Sequence, residues 1–567
     1  MKVASSQTLF IAIAIFCTSN LAAQEVKTAN QPSGEATQLT AEQLFAGDRV
    51  TDIKIELAKN DWDEIRAQSR SFAEALGKTP APSPFTYVKG NVTIDGVLIK
   101  GVGIRKKGFI GSLSSERPSL KIKFKEYVKQ DPVDGLDRLT LNNNNQDAGR
   151  ISQYLTYKLF RDSGTISPRC GFAKVTVNGK YLGIYSNVEA IKPQFLKHAF
   201  GDNSGALFEG TVADFFPSWS QKFELKNKAA DKAHIDAVTD VFQEDGFDLE
   251  ELNKVVDVDA FMKYWAMESI IGFWDGYCSN QNNYYIYRHP KNDKFYFIPW
   301  GTDSSFTENS PIPPYRMIPK SVHAKAIIPN RLYHKKESKD AYLATFMSML
   351  ENHWDEEEIQ SEIDRLESLL RPHVMEENDS FDGVLDGYRR FIKTRRKRLM
   401  AEFEAGSPKL NSKEKTPVYF ANQGECEITF STKWFDKAPR DMQSVGEATV
   451  KLLVNGKEIE LKNVGAVAKV DDRDKNNASI VIIGTRVSGT SKGKQLIIGT
   501  GLAKNTFKPS EYETTIGGVL IQPGTFGMFG AKMKMMFGTV QLDAASMKDG
   551  EPVKGTMKLS VVEMKTE

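Results

Sequence analysis

Apolar and polar residues alternate along much of the first third of the chain, and this period of two predicts β-strands. The stretch SLKIKFKEY at 119–127 shows it plainly, with three apolar residues on one face and three lysines on the other. Dipeptides typical of tight hairpin turns, DG at 95–96 and NG at 178–179, separate such stretches. A helical pattern interrupts them at 148–164. We predict a β-rich lobe over residues 47–235.

The pattern changes in the second half of the chain. Apolar residues recur with helical spacing at 259–274, 356–374 and 384–405, which predicts a mostly helical lobe over residues 236–406. From 409 to 567 short alternating stretches separated by Gly, Asn and Asp predict an all-β domain, either a sandwich or a barrel. The predicted fold class is therefore α+β, with two lobes followed by a C-terminal β domain.

The N-terminal residues have the pattern of an export signal. A lysine precedes an apolar run, and small residues precede Gln24, so residues 1–23 are predicted to be a cleaved signal peptide. Residues 24–46 are mostly polar and are predicted to form a flexible linker. With no later run apolar enough to span a bilayer, we expect no transmembrane segment in the mature chain. The protein would then be periplasmic, at the cell surface or secreted.

Composition excludes several classes of function. Lys and Arg number 75 against 73 Asp and Glu, so the net charge of +2 gives no electrostatic reason to expect nucleic-acid binding. The sequence holds neither HExxH nor GxSxG, which argues against a zinc hydrolase or a nucleophile-elbow esterase. Three cysteines, Cys170, Cys278 and Cys426, follow the predicted signal peptide. Their odd number and the lack of CxxC predict buried free thiols, with one disulfide as the alternative.

Two acidic residues bracket the segment that is richest in candidate chemistry. Asp275 follows an apolar helix, and Asn280 comes five residues later with Asn282 and Asn283 close behind. Asp303 follows the alternating stretch KFYFIPW. Phosphoryl transfer uses such a set, in which one carboxylate orients a hydroxyl group while an Asn and a second carboxylate bind the metal of a nucleotide. The alternative is that each Asp only stabilises a turn.

A basic, glycine-rich stretch at 101–124 is a second candidate. Arg105, Lys107 and Lys121 could contact phosphate groups, although such a loop is more often a solvated turn. The stretch lacks the GK[ST] of a Walker A motif. Glu189, at the end of a predicted strand, could pair with Lys121 or bind metal, or it could serve as a favourable first-turn helix residue.

Four segments, in this order along the chain, resemble the CotH (spore coat protein H) kinase family. They are 104–124, 136–164, 169–191 and 274–306, within a similarity that extends over about 47–405. The resemblance implies an atypical protein-kinase-like fold, ATP with Mg²⁺ or Mn²⁺ as cofactors, and transfer of the γ-phosphoryl group to Ser or Thr of proteins.

The resemblance also implies roles for particular residues. Asp275 corresponds to the catalytic Asp, Asp303 to a metal-binding Asp, and Asn283 or Asn280 to the metal-assisting Asn. Arg105, Lys107 and Lys121 correspond to ATP contacts, with Lys123 as an alternative to Lys121, and Glu189 to their acidic partner. The segment PWGTD departs from the family's PWDxD, because Gly301 replaces the first Asp.

The sequence therefore predicts an exported, metal-dependent protein Ser/Thr kinase whose partners are envelope or extracellular proteins. The alternative is a catalytically silent surface-binding or adhesion protein with the same fold. The loss of the first Asp and the additional β domain favour this alternative, whereas Asp275, the asparagines and Asp303 favour the kinase.

Overall fold

The computed structural model describes residues 39–566, apart from short internal stretches at 71–74, 110–111, 218, 244–246, 309–318, 376–379, 405, 438, 440–444, 471–476, 487–493, 504–506, 514–517 and 521–533. The predicted signal peptide and residues 24–38 of the predicted linker lie outside the described residues. The remainder of that linker is ordered, which corrects the prediction. After strand β1 (Leu39–Thr40), helix α1 (Ala41–Phe45) begins at a reciprocal capping box formed by Thr40 and Gln43. Leu44 and Phe45 of this helix are buried against the barrel core.

Seven strands close into a barrel, and their inward side chains form its core. The strands are β2 (Val50–Leu57), β3 (Val88–Ile94), β4 (Val97–Lys107), β5 (Ser119–Lys123), β7 (Arg138–Asn142), β8 (Cys170–Val177) and β9 (Lys180–Val188). Neighbours around the barrel follow the order β2, β3, β4, β5, β7, β9 and β8. The two-residue strand β6 (Val133–Asp134) pairs with β1 outside the barrel, and helix α2 (Lys59–Ala67) follows β2.

The predicted hairpins and alternation are confirmed in the barrel. Asp95 and Asn178 have φ of 48° and 47° and are each followed by a glycine with positive φ, as tight hairpin turns require. On β5, Leu120 and Ile122 are fully buried while Lys121 faces outward from the barrel core.

A helix-rich part follows, and a four-stranded sheet lies within it. Its helices are α3 (Ser152–Asp162), α4 (Pro193–Phe200), α5 (Lys232–Asp240), α6 (Leu249–Val255), α7 (Val258–Ile270), α8 (Tyr277–Asn280), α9 (Ile327–His334), α10 (Lys336–His353), α11 (Glu356–Leu370) and α12 (Ser380–Met400), with 3₁₀ turns at Ser220–Lys222 and Arg371–His373. The sheet has the order β11 (Glu224–Leu225), β10 (Ala206–Gly210), β12 (Tyr284–Arg288), β13 (Phe295–Pro299).

This sheet corrects the predicted lobe boundary at 235/236. Strand β10 comes from the segment assigned to the β-rich lobe, yet it pairs along its whole length with β12 from the segment assigned to the helical lobe. Helix α3, also from the first segment, contributes Leu155 and Phe160 to the same hydrophobic core as α7. The sequence could not show this, because strand partners distant in sequence leave no local pattern.

Helix α7 lies at the centre of this core and ends just before the acidic residue of interest. Its N-cap Asp257 accepts a hydrogen bond from the backbone N–H of Ala260, and residues on all its sides are buried. Trp265 stacks on Tyr342 of α10 with ring centroids 3.6 Å apart. A helix buried on nearly all sides beyond its first turns is typical of a domain interior.

The C-terminal part is all-β, as predicted. Its strands are β14 (Val418–Phe435), β15 (Glu447–Val454), β16 (Lys457–Glu458), β17 (Leu461–Val470), β18 (Asn477–Arg486), β19 (Lys494–Ala503), β20 (Ser510–Glu513), β21 (Gly518–Leu520), β22 (Lys534–Ala544) and β23 (Pro552–Thr566). They form one sheet that curls round, since β14 pairs with β23 along one edge and with β15 and β17 along the other. This domain has its own hydrophobic core.

Cysteine chemistry and membrane spanning can be judged over the described residues. Cys170, Cys278 and Cys426 are buried free thiols, one each in the barrel, the helix-rich part and the C-terminal domain, so the free-thiol prediction is confirmed. Within the described ranges, no helix combines the length and the apolar character needed to cross a bilayer.

Candidate functional site

Asp275 lies in the loop that follows α7, at a junction held by the helix-rich core. Gly272 takes a φ of +66°, which turns the chain out of the helix, and Phe273 is fully buried behind the loop. The guanidinium of Arg395 donates hydrogen bonds to the carbonyls of Ser269 and Ile270, at the C-terminal end of α7 where helix carbonyls lack partners within the helix. Buried groups that precede Asp275 in the sequence therefore fix its position.

Three asparagine side chains surround the Asp275 carboxylate. The Nδ2 atoms of Asn280 and Asn282 donate to Oδ1 at 2.7 and 3.1 Å, and Nδ2 of Asn283 donates to Oδ2 at 2.8 Å. Burial raises the pKa of Asp275, and these amides together with Lys415 oppose that rise. A carboxylate offers about four acceptor positions. Three are used, so Oδ2 retains capacity for one further donor such as a hydroxyl group.

The amide oxygens of the three asparagines face different partners. Oδ1 of Asn282 accepts from the backbone N–H of Val212 at 3.3 Å, and Oδ1 of Asn280 accepts from Nζ of Lys415 at 2.9 Å. Oδ1 of Asn283 instead faces Gly301, where a Cβ atom would lie only 2.8 Å from it. Because a carboxylate cannot donate, the Nδ2 atoms must face Asp275, which fixes all three orientations.

Asp303 is nearly buried, and its charge is incompletely compensated. Burial raises the pKa of Asp303 to about 7; Lys107 opposes this rise, whereas Asp275 and Asp147 add to it. The two predicted acidic residues are thus close enough to interact electrostatically, and a basic side chain of the barrel approaches one of them. A desolvated carboxylate beside other carboxylates is a favourable place for a cation.

The predicted basic residues share one face of the barrel. Arg105 and Lys121 lie directly opposite each other on β4 and β5, and Lys107 follows on the same face of β4. Burial and the neighbouring positive charges of Arg105 and Lys107 hold the pKa of Lys121 well below its usual value. Burial likewise lowers the pKa of Lys107 to about 8, and Asp303 partly counters this. Crowded cations of this kind are stabilised by a bound polyanion.

The acidic partner of this basic face is Glu209 rather than Glu189. The amine of Lys226 donates a hydrogen bond to the carboxylate of Glu209 on β10 at 2.6 Å. Burial alone would raise the pKa of Glu209, but Lys226 and, to a smaller extent, Lys121 lower it to about 2. Glu189 is buried against Arg169, which reaches its two carboxylate oxygens at 2.7 and 3.0 Å. The carboxylate of Glu189 is thus neutralised by a guanidinium next to it, which corrects the expected pairing with Lys121.

Two other side chains of the basic stretch have local partners. Lys123, the alternative to Lys121, forms an ion pair with Glu126 at 2.5 Å. The hydroxyl of Ser112 accepts from the backbone N–H of Phe109 and donates to its carbonyl, so it stabilises the loop itself. The other part of this loop, residues 110–111, lies outside the described residues.

The asparagine-rich segment 142–147 was missed as part of the site. Asn143 donates to the carbonyls of Ser112 and Arg117 and so anchors the basic loop. Asp147 accepts from Ser152 and from the hydroxyl of Tyr388, and it contributes to the raised pKa of Asp303. Four consecutive asparagines, followed by Gln146 and Asp147 at the end of a buried strand, were the signal available in the sequence.

The buried carboxyl group of Glu268 packs against the loop that carries Asp275. Oε1 of Glu268 accepts from the backbone N–H of Ser279 at 3.2 Å, and a Cβ atom on Gly276 would lie 2.6 Å from the Glu268 carboxyl group. Burial raises the pKa of Glu268 to about 8. Position 276 must therefore be glycine for the loop to pass this close.

The residues present fit a divalent cation of the Mg²⁺ type. Among the described residues, no three His, Cys, Asp or Glu side chains converge as a metal cluster. Mg²⁺ sites on nucleotides commonly use one or two protein oxygens together with phosphate oxygens. The Asp303 carboxylate and Oδ1 of Asn283, which faces Gly301, could supply these oxygens, whereas Oδ1 of Asn280 is bound by Lys415.

Several known proteins are similar to this chain. It is 26% identical over 286 residues to the inner spore coat protein H of Bacillus subtilis (strain 168), a match that covers 46% of this chain and 77% of that protein. It is 24% identical to invasin CotH2 and to invasin CotH3 of Rhizopus delemar. Those matches cover 32% and 36% of this chain but only 34% and 39% of the two invasins.

Among solved structures, the crystal structure of a Helicobacter pylori proinflammatory kinase, CtkA, aligns with 50% of this chain and 91% of its own, at 7% identity and a TM-score of 0.24. A likeness at that score carries no argument about this chain.

The model of the CotH kinase protein family matches residues 99–399, which is more than half of the chain. The matched range runs from the basic face of the barrel through Asp275 and Asp303 to the end of α12, and it includes every residue described above except Lys415. This chain belongs to the CotH kinase family.

Proposed function

We propose that this protein is an exported, metal-dependent kinase that transfers the γ-phosphoryl group of ATP to Ser or Thr hydroxyls of envelope or extracellular proteins. The observation that carries the proposal is the arrangement around Asp275. Three amides hold its carboxylate while one acceptor position on Oδ2 stays open, close to Asp303 and the basic face of the barrel.

Each group has a distinct task in this proposal. The open position on Asp275 would accept the hydrogen bond of the acceptor hydroxyl, orient its oxygen toward the γ-phosphorus and take up its proton as the new P–O bond forms and ADP leaves. Lys107 and Lys121 would bind phosphate oxygens of ATP, and that negative charge would relieve their mutual repulsion. Glu209 would keep Lys121 and Lys226 in position.

Asp303 and Asn283 would hold Mg²⁺ or Mn²⁺. A bound divalent cation supplies charge neutralisation between the β- and γ-phosphates. Positioning and electrostatics then account for most of the expected rate enhancement.

The test is phosphoryl transfer by the purified full chain from γ-labelled ATP with Mn²⁺ or Mg²⁺, onto itself or a generic protein acceptor. Asp275→Ala should abolish labelling while nucleotide binding persists, because the carboxylate orients the acceptor rather than ATP. Asp303→Ala should abolish the metal-dependent part of nucleotide binding. Asp236→Ala, an exposed position on α5, is the matched control and should behave as wild type.

Labelling that survives in both Asp275→Ala and Asp303→Ala would place the chemistry elsewhere. A wild-type protein that neither transfers phosphate nor binds ATP with any metal would refute the kinase function.

A second candidate function has one specific observation in its favour. Gly301 removes the first acidic residue of the family's PWDxD, and its φ of +55° suits glycine. A catalytically silent surface-binding protein would need no such residue, and two relatives bear the name invasin. Binding of intact cells or envelope material by both wild type and Asp275→Ala, with no nucleotide binding by either, would favour this function.

A further inference from the structure

The connector between α12 and the C-terminal domain, residues 407–417, packs against the helix-rich part. The hydroxyl of Tyr333 donates to the carbonyl of Pro408 at 2.6 Å, and Nδ2 of Asn330 donates to the carbonyl of Ser412 at 3.0 Å. Arg331 forms an ion pair with Glu414 at 2.8 Å. All three partners belong to α9, so successive parts of this connector, residues 407–417, are fixed to one helix.

The end of the connector reaches the Asp275 loop. The backbone N–H of Lys415 donates to the carbonyl of Lys325 at 2.7 Å, and its carbonyl accepts from Nε2 of Gln281 at 2.8 Å. Its amine donates to the backbone carbonyl of Asn280 at 3.1 Å and to Oδ1 of the same residue at 2.9 Å. Four bonds therefore join one residue of the connector to the loop and its support.

These contacts determine the orientation of the Asn280 amide. An ammonium group can only donate and a carboxylate can only accept, so Oδ1 must face Lys415 and Nδ2 must face Asp275. Without the amine, Oδ1 of Asn280 would lose this donor and the amide would be free to rotate. Asp275 would then keep two of its three amide donors in fixed positions.

We propose that Lys415 is a positioning residue for Asp275, acting through Asn280, and that the connector is thus part of the candidate active site. This inference rests on the proposed function for its catalytic consequence. It assigns a role to a segment beyond residue 399, where the match to the family model ends. The positive charge of Lys415 also lies close enough to stabilise ionised Asp275.

Enzyme kinetics of the full chain with Mn²⁺ and ATP test the catalytic part. Lys415→Met keeps the aliphatic length but neither donates nor carries charge, and we expect kcat to fall about tenfold, equivalent to about 1.4 kcal/mol. The KM for ATP should stay within about twofold, because Lys107 and Lys121 bind the phosphates. Lys415→Arg should recover most of kcat. The matched control is Lys413→Met, an exposed lysine of the same connector, which should equal wild type.

A loss of packing alone would give a different pattern. If only packing were lost, Lys415→Arg would be as impaired as Lys415→Met, or fewer molecules would be active while each kept the wild-type kcat. Either result would overturn the proposal. Wild-type kcat in Lys415→Met would overturn it as well.

Hydrogen exchange of the full chain separates this inference from the proposed function. The backbone N–H groups of Asn280 and Gln281 bond within the loop, to Gly276 and Tyr277. In Lys415→Met we expect their exchange to be at least about fivefold faster than in Lys413→Met. If wild type shows no phosphoryl transfer, faster exchange here would uphold the positioning role while the kinase function fails. Unchanged exchange would overturn the positioning role itself.

Discussion

At the scale of single residues, the asparagines around Asp275 have different second partners, and these assign different tasks to them. Oδ1 of Asn280 is bound by Lys415, whereas Oδ1 of Asn283 faces the loop that carries Asp303. We expect Asn283→Ala to weaken Mn²⁺-dependent ATP binding about tenfold or more. Asn280→Ala should leave that binding within about twofold and lower the transfer rate. Calorimetric titration with and without metal measures both.

Equal loss of metal-dependent binding in the two variants would contradict this division of tasks. Asn352→Ala, on the exposed surface of α10, controls for the general effect of removing an asparagine side chain.

Gly301 is the second residue-scale prediction. Its φ of +55° costs any other residue about 1 kcal/mol, and an added Cβ would meet Oδ1 of Asn283 at 2.8 Å. Gly201 has a φ of +72° but nothing within 4 Å of an added Cβ. Gly301→Ala should therefore lower the free energy of unfolding by about 2 kcal/mol, and Gly201→Ala by about 1 kcal/mol. Urea denaturation compares them, and equal losses would mean that Asn283 moves aside without cost.

The third prediction concerns the pH dependence of stability. Burial raises the pKa of Glu268 to about 8 from an ordinary value near 4.5, so the folded chain binds more protons than the unfolded chain between these values. Its contribution to stability is therefore fully present below about pH 4.5 and is lost as pH rises toward 8.

Urea denaturation across this pH range measures the effect. Relative to Glu268→Gln, whose side chain stays neutral, wild type should lose up to about 1.4 kcal/mol per pH unit. The exposed residue Glu351 provides the control, since Glu351→Gln should run parallel to wild type. Parallel curves for Glu268→Gln and wild type would show that the carboxyl group is not desolvated in solution.

Residue-level sequence reasoning found the groups that sit in distinctive local patterns. Asp275 and Asp303 each follow an apolar element, and the structure brings Asp303 within electrostatic reach of both Asp275 and Lys107. Glu209 was missed because it lies inside the strand ALFEG, where nothing local marks it. Its role depends on Lys226 and on the charge of Lys121 on barrel strand β5, and only the three-dimensional fold brings these groups together.

At the scale of elements, α12 supports the end of α7. Acidic residues neutralise part of its basic run RRFIKTRRKR: Arg389 pairs with Asp364 and Glu367, and Arg396 pairs with Glu356. Arg395 differs because it is 1% exposed and points into the core toward the α7 carbonyls. The period of the sequence located this helix, but it could not tell which arginine faces inward.

Arg395 gives the fourth prediction. Arg395→Met would leave the buried carbonyl of Ile270 without its donor, take one of two donors from the carbonyl of Ser269 and remove one partner of Glu308. We therefore expect a loss of about 3 kcal/mol in the free energy of unfolding. Arg398→Met removes a half-exposed partner of the same Glu308 and should cost less than about 1 kcal/mol. Similar losses in urea denaturation would show that the carbonyl contacts contribute nothing.

At the scale of the whole molecule, the connector makes the helix-rich part extend beyond the predicted boundary at 406. A chain that ends at Pro417 keeps the contacts of Pro408, Ser412 and Lys415, whereas one that ends at Gly406 loses them. We expect the shorter chain to melt about 2–4 °C lower by differential scanning calorimetry. Identical melting temperatures would show that the connector adds no stability to the region it covers.

The order of the large parts could be predicted from the sequence, because strand and helix periods change along the chain where the architecture changes. The sharing of a sheet across residue 235 and the return of residues 407–417 to the Asp275 loop could not. Both depend on contacts between segments far apart in sequence, which propensity and period do not encode.

The three buried thiols also provide an internal measure of opening. Cys170 lies where barrel strand β8 packs on the helix-rich core, Cys278 lies in α8 just after Asp275, and Cys426 lies in the C-terminal domain, so these three regions each carry one shielded sulfur. A thiol reagent can react with each only when its own surroundings open. One labelling time course on the unmodified protein, resolved by peptide mass, would therefore rank the three regions by how often they open. Nucleotide added to the same experiment would show which of them it closes.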